Sequence, residues 1–181
     1  MGFMHDREPP SSVRRSRLKP LLGVVPYIRR GRSRCFICAI VQSDPAYPHH
    51  VVHEDDASIA FLDKAPRLWG TVLVAPKAHQ EQVTGDFDLA AYLYLQRMVY
   101  SIGEAIRRSV PCERLYILSL GSKALNRHVH WHVAPLPPGV PLMRQQLRSF
   151  SEIIAGVLAG PEEEFERLAH RIRANLVLPE A

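Results

Sequence analysis

The sequence predicts an α+β domain with a mostly antiparallel sheet of about five strands and one long helix. Two observations lead to this fold class. Five short segments have the composition or alternation of strands, and one long segment with apolar residues at helical spacing lies between the third and the fourth. A C-terminal helical extension is expected after the last strand. The strand segments are residues 51–54, 57–63, 70–75, 114–120 and 127–134.

Each strand is predicted from its own residues. The first two flank Asp55-Asp56, and the third reads Gly-Thr-Val-Leu-Val-Ala, which is rich in β-formers; together they give a meander pattern. The fourth reads Arg-Leu-Tyr-Ile-Leu-Ser-Leu, and the fifth alternates strictly. We expect the proline-rich segment 135–139 to end the sheet, because proline cannot donate to a strand ladder.

The long helix is predicted to begin at Asp86, whose side chain can cap it, and to end before Pro111. Two further amphipathic helices are predicted over residues 142–158 and 162–176. One face of the long helix carries mainly apolar residues: Leu89, Tyr92, Leu93, Gln96, Val99, Gly103 and Ile106.

The net charge of +5 is unevenly distributed, which decides the predicted domain organisation. Residues 1–34 carry nine basic and two acidic side chains, whereas the remainder carries 14 basic and 16 acidic ones. We therefore predict a basic, flexible leader over 1–34, one domain over 35–140 and a helical extension over 141–181. The domain is not expected to bind nucleic acid, although the leader could contact RNA or an anionic surface.

The composition is that of an ordinary globular protein, with 46% hydrophobic and 23% charged residues. No apolar run approaches the ~20 residues needed to span a bilayer. Residues 1–19 are polar and charged throughout, so no secretory signal is recognised. We expect no membrane partner and a cytoplasmic location.

Three histidines alternate in the fifth strand segment, His128, His130 and His132. A strand presents alternate side chains on one face, so the three imidazoles are expected in a row, with Val129, Trp131 and Val133 in the core behind them. Packing alone does not explain three histidines at this spacing. Either a three-histidine metal site or a nucleophilic imidazole with helping groups would explain it.

Cys35 and Cys38 are separated by two residues, which is the spacing of many metal sites and redox pairs. Three cysteines are too few for a disulfide framework. The third, Cys112, has no such neighbour and is expected to be inert. The pair needs further ligands before it indicates a metal, and two buried free thiols are the alternative.

The segment His-Val-His-Trp-His-Val-Ala resembles the signature of the histidine triad (HIT) superfamily, in its zinc-binding bacterial type. The resemblance extends upstream to Ala-Phe-Leu-Asp63 and to the strand that closes in Pro-Lys-Ala-His79. It covers about residues 35–138 and implies a HIT-like fold. It further implies that Cys35, Cys38, His79 and His128 hold a structural zinc ion.

By the same resemblance, His130 is the nucleophile and forms a covalent nucleotidyl-histidine intermediate. Neutral imidazole is available near pH 7, and its bond to phosphorus is labile to water. His132 and Asn126 are expected to contact phosphate oxygens or the leaving group, and Asp63 to accept from ribose hydroxyls. A turn role for Asp63 is the alternative. Two apolar residues of the second strand are expected near the base: Ile59 and Phe61.

The chain departs from the family in the loop before the triad, residues 119–126, which is short and lacks the family's two polar phosphate-contacting elements. Lys123 and Arg127 either offer positive charge to a polyphosphate or are solvated surface residues. This departure bears on the substrate more than on the reaction.

The expected function is hydrolysis of a nucleotide at its α-phosphate, with a dinucleoside polyphosphate or a nucleoside phosphoramidate as substrate. Three alternatives stay open: a nucleotidyltransferase or phosphorylase, a zinc-stapled nucleotide-binding module with little turnover, and a catalytic metal held by the three histidines. His132 favours hydrolysis, because the family's transferases usually have glutamine there. A homodimer is expected.

Overall fold

The computed structural model describes residues 7–16, 35–121, 126–146 and 156–178. Its main sheet has five strands in the order β2-β3-β4-β6-β5, with every neighbouring pair antiparallel. The predicted fold class is confirmed, since one long helix and a C-terminal helix accompany this sheet. The strands are β2 (Val51–Glu54), β3 (Ser58–Leu62), β4 (Val72–Pro76), β5 (Arg114–Leu118) and β6 (Trp131–Leu136).

Helix α2 (Leu89–Ser109) is the predicted long helix, but its cap is Asp88 rather than Asp86. The Asp88 side chain accepts from the Ala91 amide at 2.7 Å. Asp86 instead accepts from the amides of Glu81 and Gln82, so it orders the preceding loop. Asp86 and Asp88 are equally good helix caps by residue type, so the sequence alone does not distinguish them. The contacts of the preceding loop with Asp86 decide which one caps the helix.

Strand β6 begins and ends later than predicted. It starts at Trp131 because the preceding residues leave the sheet, where the Val129 amide donates to the Gln80 carbonyl at 2.7 Å. It continues through Pro135, which pairs with Leu115 in β5. Pairing with β4 stops at Val133, so the missing proline N–H breaks no ladder bond on that side.

The described residues of the C-terminal extension include the short 3₁₀ turn Leu142–Arg144, where the first predicted helix was expected to begin, followed by a strand and a helix. Helix α3 (Glu162–Ala174) confirms the second predicted helix, whereas β7 (Val157–Ala159) lies where the first was expected to end. Gly156 precedes β7 with φ of +65°, a conformation that breaks a right-handed helix. The middle of the predicted helix, residues 147–155, lies outside the described residues.

Part of the predicted leader pairs with this extension. Strand β1 (Arg14–Ser16) is antiparallel to β7 and forms a separate two-stranded sheet with it. Val13, just before β1, is 8% exposed and belongs to the main core. The predicted domain boundaries stay predictions.

The two faces of the main sheet carry different layers. Helices α2 and α3 pack on one face, with Trp131 and Val133 of β6 among the buried residues. A short helix, α1 (Phe36–Val41), packs on the other face against β3 and β4. The described part of the chain has no helix with the length and apolar character to cross a membrane.

Candidate active site and metal site

His130 immediately precedes β6 and is fully buried. Its Nδ1 lies 2.7 Å from the carbonyl oxygen of His128. Because a carbonyl only accepts, Nδ1 carries the proton and Nε2 carries the lone pair. Nε2 is buried and has no hydrogen-bond partner in the described part of the structure. Burial lowers the pKa of His130 to about 4, which keeps the ring neutral and nucleophilic near pH 7.

His132 is the neighbour of His130, with the two ring centroids 5.0 Å apart. Its Nδ1 lies 3.9 Å from Oδ2 of Asp63, and both side chains are largely buried. Burial lowers the pKa of His132, and the Asp63 carboxylate opposes that shift. The nearby Asp63 carboxylate therefore stabilises the protonated form of the His132 imidazole.

Asp63 performs the turn role, which the sequence left open as the alternative to a ribose contact. One oxygen, Oδ1, accepts from the Ala65 amide at 2.9 Å and closes a turn. The other faces His132 at the end of β3. This second oxygen is the one that a ribose hydroxyl could reach.

The two residues expected near the base, Ile59 and Phe61, are each 1% exposed. They lie beneath α1. The ring of Phe36 in this helix packs edge to face against the rings of Phe61 and His130, with centroid distances of 6.5 and 6.0 Å. Asn126 is exposed, with φ of +54°, and no contact of its side chain with the other site residues is described. Lys123 lies outside the described residues.

Cys35, Cys38, His79 and His128 converge, with all four potential ligand atoms within 4.8 Å of one another. Sγ of Cys35 lies 3.3 Å from Nδ1 of His128, and Sγ of Cys38 lies 3.2 Å from Nδ1 of His79. Tetrahedral zinc, with Zn–S of about 2.3 Å and Zn–N of about 2.0–2.1 Å, places sulfur and nitrogen ligands about 3.6 Å apart. The group is therefore of the right size and chemistry to hold a metal ion.

The outer contacts of this group orient its ligands. Nε2 of His128 lies 2.9 Å from the Pro76 carbonyl, so it carries the proton and leaves Nδ1 free for a metal. Nε2 of His79 lies 3.3 Å from the Glu81 carboxylate. Cys35 also caps α1, since its sulfur accepts from the Cys38 amide.

Sequence reasoning missed three contributors to these sites. Glu81 follows His79 by two residues, a spacing that could have suggested its contact with the imidazole. The carbonyl of Pro76 and the ring of Phe36 left no such signal, because their role depends on how β4 and α1 meet β6.

A buried neutral imidazole beside a Cys2His2 group, on an antiparallel sheet, defines a class of protein, and comparison of the sequence with known protein families identifies it. A model of the HIT domain matches residues 39–138, which is more than half of the chain. The chain belongs to the HIT family.

The individual relatives agree with this assignment. An adenosine 5'-monophosphoramidase of Schizosaccharomyces pombe is 27% identical over 67% of this chain and 96% of its own length. An uncharacterized HIT-like protein of Saccharolobus solfataricus is 30% identical over 56% of this chain and 73% of its own. A zinc-bound histidine triad family protein from Mycobacterium smegmatis superposes with a TM-score of 0.61, at 26% identity, over 80% of this chain and 94% of the other.

Proposed function

We propose that the protein hydrolyses a nucleotide at its α-phosphate, with His130 as nucleophile. The observation that carries this proposal is the buried Nε2 of His130. This nitrogen has the lone pair because the His128 carbonyl holds the ring proton on Nδ1. Nε2 attacks phosphorus, and the bond from phosphorus to the leaving group breaks with its electron pair going to the leaving atom. Water then cleaves the new phosphorus–nitrogen bond and restores the imidazole.

His132 assists at the leaving group in this proposal. The Asp63 carboxylate opposes the effect of burial and stabilises the protonated imidazole, which donates a hydrogen bond and then its proton to the leaving atom. The nitrogen that leaves from a phosphoramidate needs this proton, whereas the phosphate oxygen that leaves from a dinucleoside polyphosphate is stable as an anion and needs only the hydrogen bond. The name of the Schizosaccharomyces pombe relative favours testing the phosphoramidate first.

The test compares wild type, His130→Ala and His170→Ala on adenosine 5'-phosphoramidate and diadenosine tetraphosphate. His170 is an exposed histidine on α3 and serves as the matched control. We expect His130→Ala to lose about 10⁴-fold or more of the activity, as other nucleophile deletions do, and His170→Ala to lose none. Intact mass in single turnover should detect a nucleotidyl adduct on wild type and on His170→Ala, and none on His130→Ala.

Turnover that survives in His130→Ala would contradict the nucleophile assignment. Binding of AMP without turnover of either substrate would favour the nucleotide-binding module instead. Transfer of the nucleotidyl group to phosphate or to a second nucleotide, faster than to water, would favour the phosphorylase or transferase.

We further propose that the Cys2His2 group holds zinc with a structural role. Four protein ligands complete a tetrahedral shell and leave no position for substrate. The ion would join α1 to the segment just before His130. The double substitution Cys35→Ser, Cys38→Ser should therefore remove one zinc per chain, measured by plasma mass spectrometry, and lower the Tm, whereas Cys112→Ser should do neither. Retention of the zinc by the double variant would instead support a three-histidine site.

A further inference from the structure

The Cys2His2 group borders both the solvent and the buried nucleophile. The thiols of Cys35 and Cys38 are half-buried, and the His79 side chain is 40% exposed. The contact between the Cys38 sulfur and His79 lies at the surface, whereas His128 is fully buried and contacts His130. A small solute can therefore meet the Cys38 sulfur from the His79 side.

The two thiols can form a disulfide through a local change. Cys35 is the residue before α1, and Cys38 lies in the first turn of this helix. Their sulfur atoms are at most 4.8 Å apart. Because a disulfide bond is about 2.05 Å long, the sulfurs need to approach each other by less than about 3 Å. Such a movement concerns one turn of α1 and no strand of the main sheet.

Reactivity separates this pair from the third cysteine. A thiol that ligates zinc is deprotonated, and the thiolate is the form that peroxides oxidise. Burial raises the pKa of the Cys112 thiol, so this thiol stays protonated near pH 7. Cys112 also lies outside the group of four potential ligands. Oxidation is therefore expected at Cys35 and Cys38 before Cys112.

Two contacts connect the pair to the candidate active site. Phe36 follows Cys35 directly in the chain, and its ring packs edge to face against the ring of His130. The carbonyl of His128, a potential ligand of the same group, accepts a hydrogen bond from Nδ1 of His130 at 2.7 Å. A rearrangement of the group therefore reaches His130 through both contacts.

Resting on the zinc site proposed above, we propose that hydrogen peroxide converts Cys35 and Cys38 into a disulfide and that the zinc ion is thereby released. One thiolate attacks a peroxide oxygen, the O–O bond breaks, and a sulfenic acid forms as hydroxide leaves. The other thiolate attacks that sulfur, and a second hydroxide leaves. Each sulfur gives up one electron, the peroxide gains two, and two protons convert the two hydroxides to water.

The disulfide leaves only the two imidazoles of the group as ligands. Of these, His79 is exposed, and two ligands do not complete a tetrahedral zinc shell. Phe36 moves with Cys35, and His128 loses the ion that holds its ring. A dithiol restores both thiols, so the group acts as a reversible redox switch on His130.

The test treats zinc-loaded wild type with hydrogen peroxide and follows free zinc with a chromogenic chelator. We expect release of one zinc per chain. Alkylation and trypsin digestion then locate the disulfide, because Cys35 and Cys38 share the tryptic peptide 35–64 and Cys112 lies in peptide 109–114. Peptide 35–64 should be about 2 Da lighter than its reduced form and resist alkylation, whereas peptide 109–114 should be alkylated. Dithiothreitol should reverse the change.

Cys112→Ser is the matched control and should release zinc and form the disulfide as wild type does. Cys35→Ser should form no disulfide within peptide 35–64. If Cys35→Ser does not fold, the peptide masses of wild type decide the proposal, because that measurement needs no variant.

Activity provides a second readout, which depends on the proposed hydrolase. Oxidised wild type should lose about tenfold or more of its turnover, as expected when contacts around a metal ligand are lost. Dithiothreitol with zinc should restore the turnover. Restoration separates the disulfide from methionine oxidation, which dithiothreitol does not reverse.

The outcomes separate the proposals. Zinc retained under peroxide, or sulfinic acid on peptide 35–64 without a disulfide, would overturn the switch and leave the hydrolase standing. Full turnover by the oxidised protein would overturn the connection to His130. Wild type that turns over neither nucleotide would overturn the hydrolase alone, because zinc release and the peptide masses do not depend on it. Purified wild type without zinc would overturn the zinc site, and the switch with it.

Discussion

Asp55 joins the turn between β2 and β3 to the long helix. Its Oδ1 accepts from the amides of Ala57 and Ser58 at 2.8 and 2.7 Å. Its Oδ2 accepts from the Tyr94 hydroxyl of α2 and lies 2.8 Å from His53 Nε2. Burial raises the pKa of Asp55, but the hydrogen bonds, led by those from Tyr94 and His53, outweigh burial and hold the pKa well below its usual range.

Asp55→Asn should destabilise the protein by about 1–3 kcal/mol at pH 7, because the network loses its charged acceptor. A carboxyl whose folded-state pKa is depressed contributes stability above its unfolded pKa of about 4 and loses it as the pH falls below that value. The difference in unfolding free energy between wild type and Asp55→Asn should therefore shrink from pH 6 to pH 3. Urea denaturation across this range measures it.

The neighbouring Asp56 provides the control, since it is exposed and Asp56→Asn should cost little at any pH. A pH-independent difference for Asp55→Asn would mean that the carboxylate is not the stabilising group.

At this scale, alternation along the chain predicted much of the site. It placed His130 and His132 on the sheet face opposite Trp131 and Val133, and the structure agrees. The Cys2His2 group also assembles as the resemblance implied. The burial of Ile59 beneath α1 was not predictable, because no local pattern fixes where a six-residue helix docks.

The pairing of β1 with β7 joins a segment near the start of the described chain to the C-terminal extension. Gly156, at the start of this pairing, has φ of +65°, and a Cβ there would lie 2.8 Å from the Ser16 carbonyl oxygen. Gly139 also has a left-handed φ, of +78°, but a Cβ there would meet nothing within 4 Å. Substitution of Gly139 therefore tests backbone strain alone, whereas substitution of Gly156 tests backbone strain together with the close approach of β1.

Gly139→Ala should cost about 1–2 kcal/mol, the penalty for a left-handed φ in a residue with a Cβ. Gly156→Ala should cost about 1–3 kcal/mol more, because β1 must move away from the added methyl group. Urea denaturation of both variants measures the difference. Equal losses would show that the approach of Ser16 to Gly156 is not a constraint.

Neither β1 nor β7 was predicted, for a physical reason. Each strand has three residues, and paired residues are more than 140 positions apart in the sequence, so no local periodicity indicates the strands or their pairing. Val157 and Leu158 continued the apolar spacing of a predicted helix. The longer strands β2 to β5 and helix α2 were predictable because their patterns extend over enough residues.

At the scale of the whole molecule, an apolar stripe runs along α2. Leu89, Leu93 and Tyr100 are 72%, 48% and 68% exposed. At 100° per residue they lie within about 40° of one another around the helix axis. The next residue along this stripe, Gly103, packs against Leu115, so the stripe lies beside β5. Strand β5 is an edge of the main sheet, and its Ile117 is 49% exposed.

We propose that a second copy of the chain covers this stripe and the β5 edge, as the sequence led us to expect. An apolar surface of this kind, beside a strand edge that pairs with no other described strand, is stabilised by a symmetric partner. Light scattering at micromolar concentration should give twice the 20.5 kDa of one chain. The double substitution Leu93→Asp, Tyr100→Asp should give monomers, because both partners would bury these charges.

Met143 supplies the matched control, since it is 88% exposed on the short 3₁₀ turn Leu142–Arg144, outside the stripe. Met143→Asp should keep the mass of wild type. A monomeric wild type would refute the dimer, and a dimer that persists in the double variant would place the interface elsewhere on the molecule.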